Sequence, residues 1–300
     1  MKDTTNHIYI LCVCDNHYVP LLAALIRSIT RNHLTEEPIE IIAVNDHITK
    51  MNRDKISRCV DGDKIKLTWI DIAHCIPKST KLPTDKSSLP LNIYVRLLIQ
   101  EFIPQDITRL IYMDVDMLVL EDISKLWNID LHTNIIGAVQ DPFVQSVGRW
   151  GGVANYADFG LTVDSPYFNA GLLLIDMKKW RENSISDKVL DCLQTNQQHA
   201  LYQDQYGLNA ILGNQWYMLD AKWNRFAYSE DNQPFLIHFT GRKPIYLTYN
   251  YRQDYKDLFF EYLEQTPWKG YKQIGETTRY LKKARNILQK LQNKLRLLRS

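Results

Sequence analysis

Three observations predict an α/β fold with a mostly parallel central sheet and a basic helical tail. Short runs of β-formers alternate with amphipathic helical segments through most of the 300 residues, an Asp-x-Asp lies inside one of the most apolar runs, IYMDVDMLVL (111–120), and a leucine stripe set among Lys and Arg ends the sequence. Alternation of this kind implies strands laid side by side in parallel, with helices over both faces. Ligands of such sheets bind beyond the carboxyl ends of the strands.

The first run, IYILCVC (8–14), is rich in β-branched and aromatic residues and ends at Asp15-Asn16. Pro20 then opens a segment with Leu22, Leu25, Ile26 and Ile29 on one helical face. The alternation continues as strand 39–44, helix 49–59, strand 65–70, helix 91–102 and strand 109–113. Residues 110–120 read as one strand, which puts Leu110, Tyr112, Asp114, Asp116, Leu118 and Leu120 on one face. Strand 135–139 leads into 141–164, a loop-like stretch with Gly148, Gly151 and Gly152; a loop of that length suits a binding-site lid, placed at 143–165. Strand 167–175, helices 178–194 and 201–211, and strand 234–239 complete the body.

A composition of 45% hydrophobic and 23% charged residues suits one sizeable domain, residues 1–250, with a helical extension over 251–300. The polar start MKDTTNH lacks a signal-peptide plan and no apolar run reaches membrane-spanning length, so a cytoplasmic location is expected. Cys12, Cys14, Cys59, Cys75 and Cys192 are an odd set without zinc spacing and are expected to be reduced packing residues. Residues 277–300 hold eight Lys or Arg and no acid, which leaves 28 basic and 34 acidic groups, a balance of −6, for residues 1–276. In the tail, Leu281, Ala284, Leu288, Leu291, Leu295 and Leu298 recur at spacings of three and four, the mark of an amphipathic helix. Such a helix fits docking on the body, oligomer formation, or attachment to an anionic membrane surface, possibilities that the sequence leaves open. The acidic body argues against nucleic acid as a partner.

Asp114 and Asp116 carry the chemistry. Residues i and i+2 of a strand lie about 6.5–7 Å apart, and two ionised carboxylates at that distance repel by about 2.5 kcal/mol at an effective dielectric near 20. A bound divalent cation such as Mg²⁺ or Mn²⁺ offsets the repulsion and could bridge the phosphates of a nucleotide. The other reading is that one carboxylate caps the following turn while its neighbour is solvated.

The segments CDNHYVP (14–20), LNIYVRLLIQEFIP (91–104), RLIYMDVDMLV (109–119), QDPF (140–143), YFNAGLLLIDMKKW (167–180), YQDQYGLNAIL (202–212) and IHFTGRKP (237–244), in this order, resemble the motif set of glycosyltransferase family 8. The resemblance implies a Rossmann-like nucleotide-sugar-binding domain of GT-A type over residues 1–250. It also implies a retaining transfer of galactose or glucose from a UDP-sugar to a glycan or glycolipid acceptor, as in lipopolysaccharide assembly, with Mn²⁺ or, failing that, Mg²⁺ as cofactor. Asp114, Asp116 and His238 match the family's metal ligands, with Val115 between the two acids on the donor side. Asp15 matches a uracil or ribose contact, and Tyr94 and Arg96, placed on the helix before the Asp-x-Asp, match donor-facing residues. Asp141, Asn169, Ala170, Asp204 and Gln205 match residues that grip the donor sugar; Asp141, Asp204 and Gln205 are the catalytic candidates. Gly241 and Lys243 match a diphosphate-binding loop, but the spacing is one residue short, so Arg242 is an equal candidate for the cation. A non-catalytic sugar-nucleotide-binding or helical scaffold protein is the competing reading.

Overall fold

A computed structural model describes residues 7–60, 64–77, 80, 92–230 and 233–278. The tail helix expected from about 277 falls outside these residues except for 277 and 278. In chain order the elements are β1 (Ile8–Asp15), α1 (Val19–Asn32), β2 (Ile39–Asp46), α2 (Lys50–Ser57), β3 (Ile65–Asp71), α3 (Ile72–Cys75), α4 (Asn92–Val95), α5 (Ile99–Phe102), β4 (Arg109–Met113) and β5 (Met117–Val119). They continue with α6 (Ile123–Trp127), β6 (Ile136–Gln140), β7 (Phe168–Asp176), α7 (Met177–Glu182), α8 (Ile185–Thr195), α9 (Gln203–Leu212), β8 (Trp216–Met218), β9 (Arg225–Phe226), β10 (Leu236–His238) and α10 (Gln253–Leu263).

The seven-stranded sheet has the order β3-β2-β1-β4-β7-β6-β8. β3, β2, β1 and β4 pair in parallel, β7 runs antiparallel to both β4 and β6, and β6 pairs in parallel with β8. The expected mostly parallel α/β sheet is therefore present. β1 and β2 are buried on nearly every residue, as strands covered on both faces must be. The chain steps outward from β1 to β2 to β3 and then returns to the other side of β1 as β4. The order of the sheet thus reverses between β1 and β4, which opens a crevice at their carboxyl ends. Asp15 closes β1, and Asp114 follows the last residue of β4.

Three expected elements are interrupted. The strand over 110–120 stops at Met113; Asp114 to Asp116 form a bend, and β5 joins a second, three-stranded sheet of order β5-β10-β9. Side chains of α1 hold this departure: Ser28 Oγ accepts the Val119 N–H at 3.0 Å, and Asn32 Nδ2 donates to the Val119 carbonyl at 2.8 Å. The helix over 91–102 divides into α4 and α5, so Arg96 sits in the turn between them rather than on a helix. The helix over 178–194 divides at Ser184, whose φ of 50° lies in the left-handed region.

The loop 141–164 contains one 3₁₀ turn, Tyr156–Phe159, and buries Val144, Val147, Val153 and Leu161 against the body, while Phe143 and Trp150 stay exposed. α10 packs on α1 through the Asn32 to Tyr262 hydroxyl hydrogen bond of 2.8 Å, and Phe259 of α10 meets Phe239 edge-on at 5.8 Å. The segment after residue 250 therefore backs the strand that carries His238. All five cysteines are buried and free, as expected. Among the described residues no helix is long and apolar enough to cross a membrane.

Candidate active site

The bend between β4 and β5 is fixed by its own backbone. Asp114 N–H donates to the Gly171 carbonyl of β7 at 2.8 Å, and the Asp116 carbonyl accepts the Phe239 N–H at 2.8 Å. The second sheet supplies the third member of the cluster. β10 lies antiparallel to β5 with His238 opposite Met117, which sets the imidazole beside Asp116 although the two are far apart in sequence. His238 Nε2 faces Asp116 Oδ1 at 3.4 Å and Asp114 Oδ2 at 3.9 Å.

One ligand atom from each of Asp114, Asp116 and His238 falls within 4.8 Å of the others. The atoms of these residues that point away from the centre already have partners. Asp114 Oδ1 accepts from Arg96 at 2.8 Å and from the Tyr112 hydroxyl at 2.9 Å, Asp116 Oδ2 accepts from Lys243, and His238 Nδ1 lies 2.9 Å from Asn224 Oδ1. Two carboxylate oxygens and one imidazole nitrogen therefore converge, a donor set that fits a divalent cation such as Mn²⁺ or Mg²⁺. Burial opposes the charge of Asp116, but the Lys243 ammonium prevails and holds its carboxyl well below the usual carboxylate range.

Two cavities flank the cluster. The larger, of about 390 Å³, is lined by Asp141, Asn169, Gly171, Asp204 and Gln205 with Phe143, Leu201 and Tyr202 at its edge. The smaller, of about 220 Å³, is lined by Val13, Tyr18, Asn92, Tyr112, Val115, Asp116 and Lys243. Asp114, Arg96 and Ile93 belong to both walls. Arg96 pairs with Asp114 and, through Nε, with Asp204 at 3.0 Å, donates to the Ala170 carbonyl at 2.7 Å, and lies 4.5 Å above the Tyr112 ring. Burial works against its charge, yet the surrounding acids and Tyr112 raise its pKa further. The carboxyl of Asp204, on the first turn of α9, is pushed up by burial in spite of Arg96.

The walls of the larger cavity are an amide network. Gln205 Oε1 accepts from the Ala170 N–H at 3.0 Å and from Asn169 Nδ2 at 3.3 Å. Asp141 Oδ2 accepts from Asn169 Nδ2 at 3.1 Å, and its Oδ1 accepts the Phe143 and Val144 N–H groups, which anchors the start of the long loop.

Most of the residues expected from the sequence come together here. Five do not line the cavity walls: Asp15, Tyr94, Ala170, Gly241 and His238, of which His238 joins the carboxylate cluster and Ala170 meets Arg96 and Gln205 through its backbone. Asp15 Oδ1 caps its own turn by accepting the His17 and Tyr18 N–H groups at 2.8 and 3.1 Å, and buried Tyr94 donates its hydroxyl to Gln203 at 2.6 Å. Gly241 adopts a positive φ of 71° that only glycine takes without strain, close to the Tyr251 hydroxyl. Of the two candidate cations, Lys243 lies on the cavity wall, while Arg242 is paired with Glu276 at 2.5 Å. Sequence reasoning missed Gly171 and Asn224. A glycine inside an apolar strand pattern signals close approach by another group, but Asn224, at the end of the short 3₁₀ helix Ala221–Asn224, leaves no such mark in the sequence.

Comparison with known proteins places the chain among glycosyltransferases. General stress protein A of Bacillus subtilis is 27% identical over 89% of this chain and 96% of its own length. A putative glycosyltransferase of Haemophilus influenzae is 30% identical over 70% of this chain and 61% of its own length. Among solved structures, the bifunctional glycosyltransferase WbbM superposes with a TM-score of 0.75 at 18% identity, covering 90% of this chain and 51% of WbbM, so the chain spans about half of that protein. The galactosyltransferase LgtC, solved with donor and acceptor sugar analogues, superposes with a TM-score of 0.70 at 23% identity, covering 88% of this chain and all (100%) of LgtC. These likenesses show a shared fold. Residues 9–244, which include Asp114, Asp116, His238, Lys243 and both cavity walls, match the model of glycosyl transferase family 8, and the chain belongs to that family.

Proposed function

We propose that this glycosyltransferase moves a hexose, galactose or glucose, from a UDP-sugar to a glycan or glycolipid acceptor with retention of the α configuration. The observation that carries the reading is the convergence of Asp114, Asp116 and His238 between two cavities, one on each side of Asp114 and Arg96. In this reading the smaller cavity takes the uridine diphosphate and the larger takes the hexose and the acceptor. A cation bound by the cluster, Mn²⁺ by preference because imidazole suits it better than Mg²⁺, would supply Lewis-acid stabilisation of charge on the departing diphosphate.

The chain's own residues do the rest. Lys243 places an ammonium beside Asp116, on the side where the diphosphate charge develops. Arg96 neutralises Asp114 and Asp204 together, so the wall between the cavities carries less excess negative charge towards an anionic donor. Asp141, Asn169 and Gln205 offer a carboxylate and two amides to sugar hydroxyls. Asp204 is held by Arg96 and buried, which suits sugar binding better than attack on the anomeric carbon. Tyr94 fastens α4 to Gln203 of α9 behind the wall of the larger cavity, and Asp15 orders the turn that carries Tyr18.

Incubating the protein with UDP-galactose or UDP-glucose and Mn²⁺ should release UDP, and chelation should stop the release. Absence of turnover with every UDP-hexose would overturn the reading in favour of a sugar-nucleotide-binding or scaffold protein. The eight cations of 277–300, unaccompanied by any acid, support a further element of the proposal, recruitment to an anionic membrane surface where lipopolysaccharide-type glycans are built. Truncation after residue 276 should release the protein from anionic vesicles; undiminished vesicle binding would remove that element.

A further inference from the structure

Two backbone donors dictate the polarity of the buried network behind His238. The Gly171 N–H can only donate, and it meets Asn169 Oδ1 at 3.0 Å. That fixes the Asn169 carboxamide with its oxygen towards Gly171. Asn224 approaches the same oxygen at 2.9 Å and must therefore present its NH₂ group, which turns its own Oδ1 to His238 Nδ1 at 2.9 Å. An amide oxygen at that distance accepts, so Nδ1 carries the proton. Nε2 is left with its lone pair, aimed at Asp116 Oδ1 and Asp114 Oδ2. The Ala170 N–H fixes Gln205 in the same way, so the neighbouring amide cannot reverse without orphaning a second backbone donor.

In the metal-free protein this tautomer sets a lone pair against two carboxylates, three acceptors with no donor among them. The opposite tautomer would relieve the conflict, because an Nε2 proton could bond Asp116 and the cluster would satisfy itself. Asn224, buried at 3% exposure, blocks that escape. We infer that Asn224 is a positioning residue for the cation: it holds His238 in the Nδ1–H tautomer and keeps Nε2 free to ligate. The inference rests on the metal reading of the cluster and adds to it the group that keeps the cluster receptive.

Long-range proton–nitrogen NMR of the metal-free protein in alkaline buffer reads the ring of His238 without any substitution. A protonated Nδ1 and a bare Nε2 are expected; protonation at Nε2 alone would overturn the inference. Mn²⁺ titration of the protein by calorimetry then tests the consequence. Asn224→Leu, which keeps the bulk and removes the acceptor, should weaken Mn²⁺ binding on the order of 10–100-fold, the usual effect of losing an outer partner of a metal-bound imidazole. Asn224→Asp, which keeps an acceptor on Nδ1 but loses the donor to Asn169 Oδ1, should bind Mn²⁺ more tightly than Asn224→Leu though less tightly than wild type. If wild type binds Mn²⁺ and folded Asn224→Leu binds it equally well, the role of Asn224 falls; if wild type binds none, the metal reading falls instead. Should Asn224→Leu fail to fold, the wild-type ring spectrum and the affinity of Asn224→Asp decide the matter.

Discussion

Gly171 lies against the imidazole of His238: a Cβ at position 171 would stand 2.6 Å from ring atom Cε1, 2.9 Å from Asn169 Oδ1 and 3.0 Å from Asp114 Oδ2. The ring is also held by Asn224, so it cannot swing aside without breaking that hydrogen bond. Gly171→Ala should therefore displace His238 from the carboxylate pair and weaken Mn²⁺ binding by at least about 10-fold, with an overpacking cost of about 1–3 kcal/mol. Calorimetric titration with Mn²⁺ and a thermal melt check both. An alanine variant that binds the ion like wild type would show that the close approach is not needed.

Arg96 joins Asp114 to Asp204, and its guanidinium is the only planar fork among the described residues that reaches both carboxylates. Arg96→Ala leaves two largely buried acids without their shared partner, a change that costs about 3–5 kcal/mol for a broken buried pair. Arg96→Lys supplies one point charge and cannot address both acids and the Ala170 carbonyl at once. The alanine variant should melt well below wild type and show no UDP release; the lysine variant should fold with most of its stability and still lose the bulk of its turnover. Equal activity of Arg96→Lys and wild type would refute the bridging role.

The strand–helix alternation of a mostly parallel sheet and the position of the acids were readable because they rest on local pattern. Alternating β-formers and amphipathic stripes declare themselves within a few residues, and Asp114-Val115-Asp116 interrupts an apolar run at once. The break of 110–120 into two strands was not readable, since Met117 to Val119 keep the same β-forming composition as Arg109 to Met113. What divides them is distant: β10 pairs with β5, and Ser28 and Asn32 of α1 grip Val119. The same applies to Asn224, whose importance comes from its place between His238 and Asn169, a relation created by the sheets and absent from its own neighbourhood in the chain.

Asp122 ties the end of α1 to the start of α6. Its carboxylate accepts the Leu34, Thr35 and Ser124 N–H groups at 2.7, 3.1 and 2.9 Å, at a side-chain exposure of 4%. Burial alone would raise its pKa, but the Ser124 and Leu34 N–H groups outweigh it and hold the carboxyl at about 2, below the ordinary 3.8. A pKa lowered in the folded state means stability that is present above the ordinary value and lost as the pH falls through the folded one. The contribution at neutral pH is about 2 kcal/mol. Asp122→Asn should lower neutral-pH stability by about that amount and flatten the loss of stability between about pH 4 and pH 2, as read by urea melts across that range. A variant whose acid limb parallels wild type would assign the loss to other groups.

Lys243 and His238 approach Asp116 on different oxygens, the ammonium at Oδ2 and the imidazole at Oδ1. The lysine also donates to the Phe239 carbonyl at 2.7 Å, so it is held in place rather than free to leave with each change of ligand. A fixed cation on one oxygen withdraws negative charge from the other, which weakens Asp116 as a metal ligand while furnishing positive charge for a diphosphate. Lys243→Met, which keeps the length of the side chain and removes its charge, should therefore have opposite effects on two measurements. Mn²⁺ alone should bind a few-fold more tightly, because Asp116 keeps its full charge for the ion. UDP should bind more weakly and UDP-sugar turnover should fall on the order of 100-fold, as when a preorganised charge is withdrawn from a developing anion. Loss of Mn²⁺ affinity together with turnover would instead mean that the lysine props up the cluster, and that its charge is not divided between acid and diphosphate.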